Sequence, residues 1–413
     1  MIMDPSAAAS YIPSDFPKFD LVLIDEGSQM PAYNALIPIA RAERCMIFGD
    51  EKQLQPMDEF KKRIGEDFDT MLAGESILTA AYITSMPRKM LRFHYRSENE
   101  SLIAFSNIHY YNGDIISFPA CDTHISGLSY EFVENGVYDR AGSKANLPEA
   151  ERVIQRIREI YDELPDDTHH TLGVITLNIH QRDMIQKLLL QEVKADSSLG
   201  MKVDELVSVV NLESCQGKEW DYVIISPGFA NDETGKFSTG FGALNREYGA
   251  NRLNVMITRA RKKMMVITSI EPFMLTNAKS EGVRAFKEFL QFAKGDIVLD
   301  SRILDNNGRT RGLIDRIASS LEKEGYEVHT NIGSSEFKVD LAIVSKSNPN
   351  KYDLGILVDH YRDTRSSIHD REVTYPKILE SKGWKVYRLR ELNWNHDPHR
   401  EVRQIIKAAG GVK

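Results

Sequence analysis

Two adjacent carboxylates, Asp25 and Glu26, end an apolar run from Leu21 to Ile24 in the segment FDLVLIDEGSQM, residues 19–30. Such a run reads as a buried parallel strand, and open α/β sheets bind ligands at the carboxyl ends of these strands. In a nucleotide-hydrolysing site the first acid would hold magnesium, directly or through water, while the second would polarise the attacking water. An edge strand capped by two solvated acids would carry the same residues. A second strand, Arg44–Phe48, opens into Gly49-Asp50-Glu51-Lys52-Gln53-Leu54-Gln55-Pro56. Gly49 permits a tight turn, after which Asp50 and Gln53 could look back at the first pair. The Gln53 amide both donates and accepts, so it could orient water or sense a γ-phosphate. A plain polar turn ended by proline is the alternative.

Three later clusters carry chemistry of the same kind. Arg96, in LRFHYRS before an apolar-periodic stretch Asn99–Tyr111, offers a planar fork that could clamp a phosphate; a surface salt bridge near a helix start would use the same residue. In Asn211–Asp221 (NLESCQGKEWD), Gly217 allows close backbone approach to a ligand, Gln216 could bridge nucleotide and nucleic acid, and Glu219 could accept from ribose hydroxyls. Cys215 in that run reads as a small packed side chain. In NRLNVMITRAR, residues 251–261, Leu253, Ile257 and Ala260 fit helical spacing, and Arg259 sits on a cationic stretch that could equally be a solvated face. Gln181, at a helix start, suits a nucleic-acid contact or a helix cap.

The elements that must position these residues alternate. Helices are expected over Ser76–Tyr82, residues 148–164 and the stretch up to Lys194, and strands over Leu172–Thr176, Leu206–Val210, Tyr222–Ser226 and Met264–Thr268. Residues 271–294 read as a helical linker whose Phe286, Phe289 and Phe292 form an interdomain stripe. A separate αβββαβ pattern follows, with a helix over Gly312–Glu324, strands over Tyr326–Thr330, Val339–Val344 and Leu354–Asp359, a helix over Pro376–Lys382 and a strand over Trp384–Leu389. The 413 residues allow two to three domains, and 42% apolar with 27% charged content suits a soluble chain. No apolar run reaches membrane-spanning length, and the opening residues lack a secretory pattern. Three scattered cysteines point to a reducing, cytoplasmic setting without disulfides or a metal cluster. The formal net charge of -8 argues against a broadly basic nucleic-acid coat but leaves a local channel open.

The ordered set resembles superfamily 1 helicases, in the branch of the RNA-surveillance and bacterial DNA helicases. FDLVLIDEGSQM is similar to their Walker B motif, with Gly27 in place of an alanine, a small-for-small change expected to leave the strand exit undisturbed. GDEKQLQP resembles the GD-x-x-QLxP motif, HYRS motif IV, CQGKEWD motif V and LNVMITRAR motif VI. The resemblance implies that Asp25 coordinates Mg2+, Glu26 activates water, Gln53 senses phosphate, Arg96 and Arg259 clamp it, and Gln216, Gly217 and Glu219 border ATP. It implies an α/β chain with a partial first RecA-like domain (1–85), a complete second one (86–270), a helical linker (271–295) and a small α/β domain (296–413). Implied partners are single-stranded or duplex DNA, with RNA as the second candidate and DNA-repair or defence proteins beyond that; movement would run 5′ to 3′, and no membrane is implied. No G-x-x-x-x-G-K-[ST] loop occurs in the chain, so it reads as the carboxyl-terminal part of a longer helicase, expected to lack ATP hydrolysis by itself.

The last domain resembles the very-short-patch-repair-like branch of restriction-endonuclease folds, on VDLAIV, LGILVD and GWKVYRL. That likeness implies a divalent metal on Asp340 and Asp359. Against it, Leu357 stands where the family has a glutamate, His360 where it has glycine and Ile314 where an early glutamate is frequent, and no lysine follows at the usual spacing. His360 or His369 could compensate as ligands. A metal-dependent endonuclease and a non-catalytic nucleic-acid-binding or scaffold module are thus the alternatives. Arg362, Arg365, Arg371, Arg388 and Arg390 could meet phosphate or form a solvated ion-pair surface.

Overall fold

The computed structural model describes residues 1–55, 76–122, 127–163, 169–195, 203, 205–276, 278–297, 308–359 and 367–410, with side chains from residue 312 in the helix that starts at 308. The expectations for Pro56, His360, Arg362 and Arg365 lie outside the described residues. Two compact units form: Met1–Leu91 with Gly242–Val255 and Lys279–Ala285, and Arg92–Phe241 with Met256–Ala278 and Phe286–Lys413.

In the first unit, β1 (Val22–Ile24) and β2 (Cys45–Ile47) pair in parallel, in the register Val22–Cys45 to Ile24–Ile47. Ile24 packs on Ala35 of the helix Ala32–Ala40 and on Ile77 of the helix Ile77–Ile83. The expected fully buried strand is only half so. Leu23 is 60% exposed, because alternation sends Val22 and Ile24 to the packed face and Leu21 and Leu23 to the other. Ser76 caps the helix Ile77–Ile83 through its hydroxyl, which accepts from the Thr79 N–H.

The second unit contains a five-stranded sheet in the order β3-β7-β6-β4-β5, from β3 (Leu128–Phe132), β4 (Leu172–Thr176), β5 (Val207–Asn211), β6 (Trp220–Ser226) and β7 (Ala260–Thr268). Every pairing in it is parallel. The central strands read as nearly continuous apolar runs because both faces are covered. Leu172, Val174 and Ile224 meet a layer built by Val153, Ile157 and Tyr161 of the helix Leu147–Glu163 and Ile185 of the helix Ile179–Ala195. Ile175, Val223, Ile225 and Val266 are fully buried on the opposite face. The phenylalanine stripe of the helix Glu281–Lys294 serves this unit itself: Phe286 meets Phe241, and Phe289 and Phe292 meet Phe105.

A four-stranded sheet in the same unit has the order β11-β10-β9-β8, from β8 (Val328–Ile332), β9 (Val339–Val344), β10 (Tyr352–Asp359) and β11 (Val386–Arg390). β8, β9 and β10 run antiparallel in turn, and β11 joins β10 in parallel. Alternation divides β9. From Leu341 onward, Leu341 and Ile343 face Leu313, Ile317, Val402 and Ile405 of two helices, while Ala342 and Val344 face a second core containing Ile116, Phe118 and Cys121, which Val339 joins out of alternation. Ile314 lies in the first core, 2% exposed.

Gly173 marks the tightest approach in the parallel sheet: a Cβ built there would lie 2.3 Å from the Trp220 ring. Gly173→Ala should therefore destabilise the chain by about 1–3 kcal/mol, read as a lower urea midpoint, and Trp220→Val in the same chain should recover part of the loss.

Candidate functional site

In the first unit, Asp25 and Glu26 are exposed at the carboxyl end of β1. Glu26 has φ 53°, a left-handed conformation that costs a non-glycine residue about 1 kcal/mol. Its N–H donates to Asp25 Oδ1 at 2.9 Å, and Gln29 Nε2 donates to Glu26 Oε2 at 2.7 Å. The chain then turns so sharply that a Cβ on Gly27 would lie 2.6 Å from Ile47 Cγ2 and 3.1 Å from the Phe48 carbonyl oxygen. The exchange of alanine for glycine is thus not neutral here: β2 closes over the position a methyl would need. The Gly27 N–H donates to the Phe48 carbonyl at 2.7 Å, which ties the exit of β1 to the end of β2.

After β2, Gln53 Nε2 donates to Asp50 Oδ2 at 3.0 Å, and the Lys52 N–H to Asp50 Oδ1 at 2.9 Å. Sequence reasoning missed what holds this loop. Asn251 Nδ2 donates to the carbonyls of Glu51 (2.9 Å) and Gln53 (2.8 Å), and Asn254 Nδ2 to that of Lys52 (2.9 Å). Two asparagines three apart on the helix Gly249–Ile257 share a face, which was the available signal.

In the second unit the structure brings Arg96, Gln216, Gly217, Glu219 and Arg259 into adjoining segments. Arg96 Nε pairs with Glu219 Oε2 at 3.0 Å. Arg259 is 5% exposed; its Nη1 donates to the Lys218 carbonyl at 3.2 Å and its Nη2 to Thr258 Oγ1 at 3.1 Å. The helix expected to continue through Ala260 stops at Ile257, and β7 begins at Ala260, whose carbonyl and the Arg259 carbonyl border the other two segments. Trp220 N–H donates to the Arg259 carbonyl at 3.1 Å, and Glu98 N–H to the Arg261 carbonyl at 2.7 Å. Gly217 turns the loop at φ 69° with nothing within 4 Å of a Cβ, so close backbone approach is sterically free. Cys215 is fully buried, its Sγ 3.1 Å from the Leu212 carbonyl, and burial pushes its thiol up to about 11.

Three buried polar atoms on these loops have no hydrogen-bond partner among the described residues: Asn178 Nδ2 just past β4, Asn211 Oδ1 at the end of β5, and Gln216 Nε2. Unpaired buried polar atoms at the carboxyl ends of parallel strands are candidate ligand contacts. Asn178 and Asn211 carry no sequence signal beyond following apolar strands.

Gln181 is fully buried, which removes it from nucleic-acid contact. Its Oε1 accepts from the Asn146 N–H at 2.8 Å, and its Nε2 donates to the Asn146 carbonyl and to Ser226 Oγ, each at 3.2 Å. Glu149, also fully buried, accepts from Ser226 Oγ (2.7 Å), Gly228 N–H (2.7 Å), Ser269 N–H (3.0 Å) and Asn146 Nδ2 (3.2 Å). Burial pushes its carboxyl up to about 7 against those donors. Asn146-x-x-Glu149 before an apolar-periodic helix has the form of a capping box, yet the glutamate ties β6 to β7 instead.

In the four-stranded sheet, Asp340 Oδ2 accepts from the Val358 N–H at 2.7 Å. Asp359 lies between Arg371 and Arg388, each at 3.4 Å, and Arg388 also pairs with Glu372. Leu357 packs into the second core. His369 Nδ1 contacts Thr374 Oγ1 at 3.3 Å. Among the described residues no three His, Cys, Asp or Glu side chains converge as metal ligands. This donor set does not fit a divalent ion, since two guanidinium groups neutralise the carboxylate that would bind it.

The comparisons agree with this geometry. The AAA-domain family matches residues 6–58 and 73–271, and the REase_MTES_1575 family matches residues 314–409. An uncharacterized ATP-dependent helicase of Mycoplasma genitalium is 29% identical over 71% of this chain and 27% of its own length. Its homolog in Mycoplasma pneumoniae is 24% identical over 96% of this chain and 37% of its own. The DNA polymerase alpha-associated DNA helicase A of Saccharomyces cerevisiae is 27% identical over 62% of this chain and 39% of its own length. The chain thus spans well under half the length of the curated relatives it matches. The fold is a RecA-like parallel sheet followed by a small sheet domain. The chain carries AAA domains ahead of a REase_MTES_1575 match, and it is similar to ATP-dependent helicases.

Beside Arg96, His94 is held neutral: burial, then the charges of Arg96 and Lys382, lower its pKa to about 4. A depressed base adds stability that is complete above its unfolded pKa near 6.5 and is lost as pH falls toward 4. Urea midpoints should drop over that window by an equivalent of about 2–3 kcal/mol, and His94→Gln should flatten the drop; equal slopes in both proteins would refute the assignment.

Proposed function

We propose that the chain supplies the Walker B carboxylates and the second motor domain of an ATP-driven helicase acting on DNA. One observation carries this reading: Arg96, Glu219 and the buried Arg259 converge at one set of adjoining loops in a chain whose Asp25–Glu26 pair closes a parallel strand. Asp25 would hold Mg2+ delivered with ATP, a role that one or two carboxylates can fill when phosphates and water complete the shell. Glu26 would polarise the attacking water, and Gln53, held by Asp50, would report the γ-phosphate. Arg259 and Arg96 would neutralise charge that develops on the transferred phosphoryl group. For Arg96 to reach phosphate it must exchange Glu219, which is then released to meet a ribose hydroxyl. The unpaired donors Asn178 Nδ2 and Gln216 Nε2 would take the nucleic-acid backbone. DNA is the substrate named in the yeast relative, and that supports DNA here.

The test compares this chain with a form extended upstream to include a phosphate loop. DNA-stimulated ATP hydrolysis is expected only in the extended form. Within it, Arg259→Ala should lower kcat roughly 10³-fold or more, and Glu26→Gln should abolish turnover while leaving ATP binding. Inactivity of the extended form on DNA and RNA alike would overturn the reading. With Mg2+ or Mn2+ neither protein is expected to cut DNA; cleavage lost on both Asp340→Asn and Asp359→Asn would restore the nuclease alternative.

A further inference from the structure

The nuclease-like sheet does more than follow the motor along the chain. Its second core closes on residues 116–121, where Ile116, Phe118 and Cys121 pack with Val339, Val344, Tyr352, Leu379 and Trp384. Polar contacts line the same seam. Trp384 Nε1 donates to the Pro119 carbonyl at 2.8 Å, and Ser335 Oγ both accepts from the Ser117 N–H (3.0 Å) and donates to the Ser117 carbonyl (2.9 Å). Phe93 meets Tyr375 edge-on, with ring centres 5.9 Å apart.

Two contacts reach the arginine loop itself. Lys382, at the C-cap of the helix Tyr375–Ser381, donates its ammonium to the carbonyl of Ser97, the residue after Arg96. Glu100, at the start of the helix Ser101–Tyr111, spends its carboxylate on the seam: Oε1 accepts from Ser117 Oγ (2.6 Å) and Oε2 from the Ser334 N–H (3.0 Å). The rest of Ser97 is held from inside the motor, its N–H and hydroxyl against His94 Nε2 at 3.3 and 2.8 Å. The backbone that aims Arg96 is therefore complete only with a lysine from the other domain.

The geometry points to Lys382 as a positioning residue for Arg96, and to the nuclease-like domain as a brace that sets the motor's phosphate-facing arginine. Its place in catalysis rests on the motor reading above. A carbonyl held by an ammonium at the exit of the loop fixes the peptide from which the guanidinium swings between Glu219 and phosphate. An error of about 1 Å in such placement costs on the order of 10²-fold in rate.

The kinetic arm uses the form extended upstream to include a phosphate loop. Lys382→Met should lower kcat roughly 10- to 100-fold while the KM for ATP stays within about twofold. Lys382→Arg should restore most of the rate, and Lys382→Met should add little to the loss already caused by Arg96→Ala. A second arm needs no turnover: hydrogen exchange on the 413-residue chain. Lys382→Met should speed exchange at the Ser97 and Glu98 amides and leave the helix Ile179–Ala195 unchanged. Unaltered exchange at Ser97 and Glu98, or rate losses that simply add with Arg96→Ala, would overturn the proposal. If the wild-type protein fails to hydrolyse ATP, the motor reading falls while the exchange arm still decides whether the brace exists.

Discussion

A guanidinium cannot leave water without partners for its charge and its donors, and Arg259 is 5% exposed. Its position depends on the Lys218 carbonyl and the Thr258 hydroxyl, so the loop Cys215–Glu219 must lie against the first residues of β7. That requirement sets the local register: Trp220 enters β6 opposite Ala260, with its N–H on the Arg259 carbonyl. Once β6 and β7 are fixed there, Arg96 follows, since Glu98 bonds to the Arg261 carbonyl and Arg96 itself reaches Glu219. One buried cation thus orders three segments far apart in sequence.

A parallel sheet delivers side chains to one end, and that end has to be kept from fraying. Glu149 does this from the helix Leu147–Glu163 by accepting from groups just beyond β6 and β7, with Gln181 bridging to the same Ser226. A fully buried carboxylate is costly unless each lone pair is used, and here four donors use them. Next to this closed network stand Asn178, Asn211 and Gln216, whose buried polar atoms are unpaired among the described residues. The contrast separates polar groups that build the sheet end from those left available to a ligand.

The sheet itself was legible in the sequence because its strands are buried on both faces over most of their length, so β4, the Tyr222–Ile225 part of β6 and the Met264–Ile267 part of β7 are written as apolar runs. Ordered motifs likewise pointed to Asp25, Glu26, Gln53, Arg96, Glu219 and Arg259. What escaped was anything decided by long-range pairing. Ala260 has helical spacing from Ile257, but pairing with Trp220 draws it into β7. Gln181 has the polarity of a surface contact, but Asn146 and Ser226, both distant in sequence, take the groups its amide offers. Gly27 looks interchangeable with alanine until β2 is laid beside it.

The nuclease-like domain shows the same logic in reverse. Its strands and core follow the restriction-endonuclease pattern, which explains the family match over residues 314–409. The chemistry has gone elsewhere: Leu357 joins a core, and Asp359 answers two arginines. The seam ties this domain to the rest of its unit. Phe118, Cys121 and Trp384 share one buried core, and removing the domain would expose that face and leave the Ser97 carbonyl and the Glu100 carboxylate without their partners from beyond residue 330. On the proposed reading, the conformation of the arginine loop depends on a contact from the neighbouring domain.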